Sequence, residues 1–348
     1  MFIYLFMFAW PALLALSPYN SSKSLARQAW WAVGIVFTLL IGFRYQIGVD
    51  WEAYLTMYYA ALDQPFSQAI VTTDPGYAFL NWVSGLFGGQ IYLVNLICGA
   101  VIMTGIISFS QRQPQPWLAF VVSVPYMIIA VSMGYSRQGV ALGFELLALV
   151  AIVDGRLWRF FLFVLLGALF HKTAVILLPF GFISIASHNR LLERLLVAGI
   201  GVWVGLMLVT EHYDSMMLNY VEAQMQSSGA QVRVVMNALP AVLLLLFRKK
   251  LMPDDQDERR FWTWLSVIAI ASVPLVGFAS TAVDRIALYF MPLQLYVFAR
   301  LHRLFDNRLL KSFVVLGVVI VYGLVTWTWL TYGNYTFAWV PYKLWPFI

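Results

Sequence analysis

Five short stretches carry cations, acids or a histidine where an apolar chain has no need of them. GFRYQIGVDWEAY (Gly42–Tyr54) ends an apolar run on Arg44, allows a turn at Gly48, and starts an aromatic stretch at Asp50. SMGYSRQGVALGFE (Ser132–Glu145) opens another apolar run with Ser136-Arg137-Gln138. LFHKTA (Leu169–Ala174) interrupts a long apolar stretch with His171-Lys172. TAVDRIALYF (Thr281–Phe290) carries Asp284-Arg285, and the C-terminal WVPYKLWPF carries Tyr342 and Lys343. Arg233 follows a polar loop and reads as a cation at the start of a helix.

These residue types point to an anionic ligand. Arginine is always charged and offers five N–H donors in a planar fork that suits phosphate. A helix N-terminus adds free N–H groups and a positive dipole end, so Arg137 at such a start makes an anion site. Arg44, Arg137 and Arg285, with Gln138 and Lys172, are the candidate phosphate-binding set; Tyr54, Arg233, Tyr342 and Lys343 are candidate guides for substrate. His171 is a candidate general base or phosphate ligand. Asp50 is expected to act as a base, to orient Arg44, or to cap the helix that follows. Glu145 lies two turns into an apolar helix, where an acid is costly and usually faces inward. Asp50, Glu52 and Asp284 are oxygen ligands by type, but the arginines nearby argue against a metal. The chain has one cysteine, Cys98, so an internal disulfide is excluded, and no thiolate zinc pattern or glycine-rich nucleotide loop is present. No metal and no cofactor are expected.

The elements that must hold these residues are membrane helices. The chain of 348 residues is 61% hydrophobic and only 11% charged, against roughly 25% charged in soluble domains. The expected fold is a single all-α polytopic membrane domain over residues 1–348, with about 12 spanning helices. The expected spans are 2–18, 29–45, 91–109, 117–134, 137–153, 157–171, 172–187, 193–210, 232–248, 261–279, 283–299 and 311–332. The apolar N-terminus reads as the first span rather than a signal peptide. Residues 157–187 are divided at His171-Lys172 because that division preserves the charge alternation of the loops.

Threaded this way, sixteen of the 22 Lys and Arg residues fall on one side, which the positive-inside rule makes cytoplasmic. The remaining six are Arg44, Arg137, Lys172, Arg233, Arg285 and Lys343, all on the outer side. A cation placed against the topological bias calls for another reason, and an outer polyanion supplies one. The net charge of +6 is then orientation charge and does not point to nucleic acid. Two outer loops are long, about 44–90 and 211–231. In the first, Trp51, Tyr54, Leu55, Tyr58, Tyr59 and Leu62 recur at helical spacing, which predicts an amphipathic interfacial helix over 51–62. YAFLNWVSGLFGG after Pro75-Gly76 is too short to span and reads as a re-entrant or interfacial helix. The second loop reads equally as a substrate lid or a solvated connector. A cationic outer pocket between apolar walls fits a lipid-linked pyrophosphate, whose departing charge arginines would offset.

In order and spacing, FRYQIGVDWEAY, YSRQGVAL, FHKTA, DRIALYF and the terminal VPYK resemble the EpsG branch of the Wzy-type polysaccharide polymerases. The resemblance covers nearly the whole chain; Ser136 departs from it, standing where family members often have an aliphatic residue. It implies a GT-C-like glycosyltransferase of the bacterial plasma membrane, an inner membrane on this reading, with its active site facing outward to the periplasm or exterior. Its substrate would be an oligosaccharide repeat unit on undecaprenyl pyrophosphate, of O-antigen or exopolysaccharide type, and a chain-length regulator is a possible partner. The resemblance also implies that Arg44, Asp50, Arg137, Gln138, His171 and Arg285 are the residues of interest. The absence of a nucleophile–base pattern agrees with a direct inverting displacement that uses one base, either His171 or Asp50. Three rivals remain. An O-antigen ligase would concentrate its arginine and histidine in one very long outer loop. A lipid-linked oligosaccharide flippase would line a path through both leaflets. A membrane O-acyltransferase would hold its histidine deeper and toward the cytosol.

Overall fold

A computed structural model describes residues 1–17, 23–71, 73–178, 180–181, 195, 199, 229–252, 256–277 and 280–347. Residues 179 and 182–187 of the expected span 172–187, all of the expected span 193–210 except 195 and 199, and residues 211–228 of the loop 211–231 lie outside the described residues. Every regular element among the described residues is a helix; the one isolated β-bridge joins Arg44 to Leu344.

The first part of the chain folds as α1 (Phe2–Leu16), α2 (Lys23–Gly42), α3 (Trp51–Leu62), α4 (Phe66–Ala69), α5 (Pro75–Leu86), α6 (Gln90–Gln111) and α7 (Pro116–Ser123). A π-helical stretch, Val124–Ser132, continues α7 and leads to α8 (Ser136–Val153) and α9 (Leu157–Phe170). A 3₁₀ turn, Lys172–Leu177, follows. The later elements are α10 (Ala230–Leu246), α11 (Arg248–Leu251), α12 (Gln256–Ala271), α13 (Ser280–Ala287), α14 (Pro292–Phe298) and α15 (Arg308–Tyr332).

Among the described residues, four helical stretches are long and apolar enough to cross a membrane: Gln90–Gln111, Ser136–Val153, Glu258–Gly277 and Arg308–Tyr332. Shorter apolar helices occupy Phe2–Leu16, Arg27–Gly42, Pro116–Ser132, Leu157–Phe170 and Ala230–Leu246. The aromatic helix appears at the expected bounds, Trp51–Leu62, and buries Trp51, Tyr54 and Tyr58 on one face. The helical run does break between Phe170 and Lys172. The expected single helix over 283–299 is instead three pieces: α13, a 3₁₀ turn at Leu288–Phe290, and α14. Pro292 stands in the first turn of α14, and proline has no N–H to continue a helix through that point.

The chain divides into two compact units. The first comprises Met1–Phe144, Leu169–His171 and Val315–Ile348; the second comprises Glu145–Ala168 and Lys172–Val314. In the first unit α6 and α8 meet backbone to backbone. A Cβ built on Gly105 would stand 2.2 Å from the Gly143 carbonyl oxygen, and one on Gly143 would stand 2.7 Å from Ile102 Cα. Small residues that let helices approach this closely are the usual source of helix association where lipid removes the hydrophobic driving force. The apolar cluster beside this crossing joins Trp51, Tyr54 and Tyr58 of α3, Tyr77 and Leu80 of α5, Val94 and Cys98 of α6, and Val140 of α8.

Replacing Gly143 by leucine is expected to cost about 1–3 kcal/mol or more, because the backbones must part. A lower Tm of the purified protein in detergent reads this out; an unchanged Tm would show that the helices do not meet at that point.

Candidate functional site

The head of α8 is the centre of the site, and Arg44 is what holds it. Arg44 follows the end of α2 and is 1% exposed. Its Nε donates to the Met133 carbonyl at 2.9 Å and its Nη1 to the Ile41 carbonyl at 2.6 Å. Its Nη2 donates to Asn95 Oδ1 at 3.1 Å and to Ser136 Oγ at 2.7 Å. One guanidinium thus ties α2, α6, the end of the π-helical stretch and the first residue of α8 together. Arg44, expected as a pyrophosphate ligand, thus has four of its five donors on neutral protein acceptors and is shut away from solvent.

Gly48 closes the same corner. Its φ of +99° is open to glycine at little cost. A Cβ there would lie 2.6 Å from the Met133 carbonyl oxygen, and one on Gly134 would lie 2.7 Å from the Trp339 ring. The C-terminal VPYK stretch is a strap over this corner. Tyr45 N–H donates to the Lys343 carbonyl at 3.0 Å, Trp345 N–H to the Phe43 carbonyl at 2.9 Å, and Gly48 N–H to the Ala338 carbonyl at 2.9 Å. Tyr342 donates its hydroxyl to the Leu40 carbonyl at 2.5 Å. Lys343 is exposed at the edge, with Nζ 3.3 Å from Gln46 Oε1 and near the Tyr45 ring. Tyr342, expected as a substrate guide, is therefore tied into the fold. Lys343 alone of that pair faces outward.

Arg137, in the first turn of α8, is partly open, with 28% of its side chain exposed. Its Nη1 donates to Asp74 Oδ2 at 2.7 Å and to Thr73 Oγ1 at 3.1 Å. Its guanidinium stands near the Tyr54 ring, 5.9 Å from the centroid. Arg137 Nε and Gln138 Nε2 make no hydrogen bond among the described residues. Burial pushes the Tyr54 phenol up to about 12, with Arg137 acting in the opposite sense, so the group stays a neutral donor at ordinary pH. Asp74 reads in the sequence as one of the acids of the first outer loop and not as a site residue, although Asp74-Pro75-Gly76 is a helix-start pattern. It is the N-cap residue of α5, makes no side-chain cap bond, and gives its carboxylate to Arg137. Asp50 stands at the N-cap of α3, also without a side-chain cap bond.

His171 belongs to this unit and is largely buried. The two residues before it sit on the start of α5. A Cβ at Gly76 would lie 2.8 Å from the Phe170 ring and 3.0 Å from the Leu169 carbonyl oxygen. The segment ending in His171 is thereby packed two residues from Asp74. The first unit therefore gathers Tyr54, Asp74, Arg137 and the His171 segment around the start of α8.

Lys172, Arg233 and Arg285 belong to the second unit. Arg233, in the first turn of α10, forks onto Asp284 with Nε and Nη2 both at 2.6 Å. One turn on, Asn237 Nδ2 donates to the Ala287 carbonyl at 2.6 Å and accepts from Gln294 Nε2 at 2.6 Å. Asp284 and Arg285 do not open a helix, as the sequence suggested; they lie inside α13, with Arg285 in its last turn. Arg285 therefore has no helix N-terminus beside it from its own helix, and Asp284 is the carboxylate that holds Arg233. Next to Lys172, the Thr173 hydroxyl is 3.1 Å from the Tyr289 hydroxyl. Glu145 is buried within α8, and neither carboxyl oxygen is hydrogen-bonded among the described residues.

A family model described as EpsG family matches residues 29–344. No curated protein and no solved structure matches the chain.

Arg44→Lys keeps the charge and forfeits most of the fork. Hydrogen bonds to a charged donor are worth roughly 1.5–3 kcal/mol each, so a loss of about 3 kcal/mol or more is expected. Lys343→Ala, at the exposed edge, is expected to stay within about 0.5 kcal/mol of wild type. Thermal unfolding of both variants checks the contrast. If Arg44→Lys keeps the wild-type Tm and loses only activity, Arg44 is a substrate ligand and the clasp assignment is wrong.

Proposed function

The chain belongs to the EpsG family, and on that premise we propose that it is a polymerase of lipid-linked oligosaccharide repeat units. The reaction joins units carried on undecaprenyl pyrophosphate at the outer face of a bacterial plasma membrane. The observation that carries this reading is Arg137, a partly open guanidinium at the start of a membrane-length helix, oriented by Asp74 through Nη1 with Nε unbonded. Asp74 fixes the plane of the fork, and the free N–H groups of the α8 N-terminus add donors beside it. That combination suits a diphosphate ester more than a neutral sugar.

In the proposed step the hydroxyl oxygen of the acceptor sugar attacks the anomeric carbon of the donor. The bond from that carbon to the pyrophosphate oxygen breaks, and its electron pair leaves on undecaprenyl pyrophosphate. Arg137 offsets the charge that develops there, and Gln138 supports it from the same turn. The acceptor proton passes to His171 or Asp50. His171 is favoured, because the Leu169–Phe170 segment that carries it packs beside Asp74 at Gly76. Tyr54, a neutral phenol beside Arg137, is suited to donate to a sugar or phosphate oxygen. No metal enters the step, since the chain's own cations do the electrostatic work.

The test is a reaction of the purified protein with its lipid-linked repeat unit, read as a ladder on a glycan gel. Arg137→Ala is expected to slow ladder formation by roughly 10²–10³-fold, the usual loss for one preorganised donor at a developing anion. Asp74→Asn is expected to do so less severely, because it loosens the fork and leaves the charge. Wild-type ladders from Arg137→Ala at equal folded protein would sink the clamp. No ladder from wild type, with movement of the intact lipid across a liposome bilayer, would shift the assignment to transport. Arg285→Ala and Lys172→Ala in the same assay test separately whether cations of the second unit take part.

A further inference from the structure

Arg44 is a buried cation whose partners include no carboxylate. Its acceptors are two carbonyls, one carboxamide and one hydroxyl. The ionisable groups that interact with it are Tyr77, Cys98, Tyr54, Tyr342 and Tyr4, none of them an acid of the Asp or Glu kind. Moving an ion from water into a protein interior costs several kcal/mol, and neutral acceptors recover only part of that. One hydrogen of Nη1 is left over, because a guanidinium has five and four are used.

Buried polar groups on α5 and α6 have no hydrogen-bond partner among the described residues. Asn95 accepts from Arg44 through Oδ1, and the Nδ2 of that same carboxamide has no partner among the described residues. The Tyr77 hydroxyl is fully buried and unbonded, and it lies in the electrostatic neighbourhood of Arg44, Tyr54 and Cys98. Asn81, one turn beyond Tyr77 on α5, is 0% exposed with both Oδ1 and Nδ2 unbonded. The hairpin register brings it to the same level. Ser84 Oγ bonds the Gln90 carbonyl near the turn and Tyr77 interacts with Cys98 further along, so counting residues along the two helices sets Asn81 at the level of Val94 and Asn95.

Buried polar groups without partners are rare in native proteins, and an unseen water or ion is a standard resolution. Here three of the four unbonded groups, Asn95 Nδ2, Asn81 Nδ2 and the Tyr77 hydroxyl, can donate, and Asn95 and Tyr77 lie beside an uncompensated positive charge. Water would satisfy the hydrogen bonds and leave the charge unmet. The near-zero exposure of Arg44, Asn81, Asn95 and Tyr77 rules out a lipid pyrophosphate or a sugar reaching this depth. We propose that Arg44, Asn95, Tyr77 and Asn81 form a closed site for a small monovalent anion, chloride being the natural occupant. The ion would take the spare Nη1 hydrogen of Arg44, Nδ2 of Asn95, the Tyr77 hydroxyl and Nδ2 of Asn81. Asn81 Oδ1, which can only accept, suits a water beside it. The anion is then a structural counter-ion for the clasp beneath α8, independent of the polymerase reading.

The test uses stability rather than activity. Purified full-length protein is melted in sodium chloride, sodium bromide and sodium gluconate at equal ionic strength, followed by tryptophan fluorescence. Wild type is expected to lose several degrees of Tm in gluconate, an anion too large for a closed site, and to regain them in bromide. Tyr77→Phe and Asn81→Leu are expected to lose most of that halide dependence while remaining folded. A bromide-grown crystal of wild type is expected to give an anomalous peak within hydrogen-bond distance of Arg44 and Asn95. Equal Tm values in all three salts, or a salt effect the same size in both variants, would overturn the site. So would a bromide crystal with no peak there, which would leave water as the filler.

Discussion

The Arg44 guanidinium reaches from the end of α2 to the Met133 carbonyl, the Asn95 carboxamide and the Ser136 hydroxyl, so three distant parts of the chain depend on one charged group. Ser136 is the first residue of α8 and Arg137 is the next. Whatever fixes Ser136 fixes where the α8 N-terminus points and where Arg137 emerges. Arg44 thus acts on the site through position, and through a positive charge held behind a helix end that is already positive. A lysine at that position could supply the charge but not four bonds in one plane.

Close backbone approach is the second constraint, and glycine provides it wherever the first unit is tightest. Gly105 and Gly143 let α6 and α8 touch, Gly76 seats the segment before His171 against α5, and Gly48 and Gly134 admit the strap that carries Trp339. A membrane core offers no water to rescue an unpaired backbone group, so the irregular stretches of such a chain must bond to other chain. The strap does this. Its N–H and carbonyl groups pair with the segment Phe43–Gly48, which has left α2 and not yet entered α3. Two motifs at opposite ends of the sequence are therefore one structural feature.

The second unit solves the same problem with side chains. Arg233 and Asp284 neutralise each other, and Asn237 both donates to Ala287 and accepts from Gln294. This polar seam covers the break between α13 and α14, where backbone groups lose their helical partners. An acid and a base that look like separate functional residues in the sequence are here a single fork.

The helical class, the aromatic helix at Trp51–Leu62 and the break beside His171 could be read from composition, periodicity and charge, because those properties are local. Apolar length, spacing of three and four, and a charge within an apolar run each act over a few turns of chain. The sequence alone also placed a cation at the head of α8. Tertiary structure decided which cation stays partly exposed. Arg44 and Arg137 have the same side chain and similar sequence surroundings, yet one is enclosed by carbonyls and amides while the other meets Asp74 at a partly open edge. Burial and partners come from helices distant in sequence, so no local pattern could separate the two. For the same reason Asp74 read as an ordinary loop acid, Tyr342 read as an outer guide, and the donors around Arg44 went unseen.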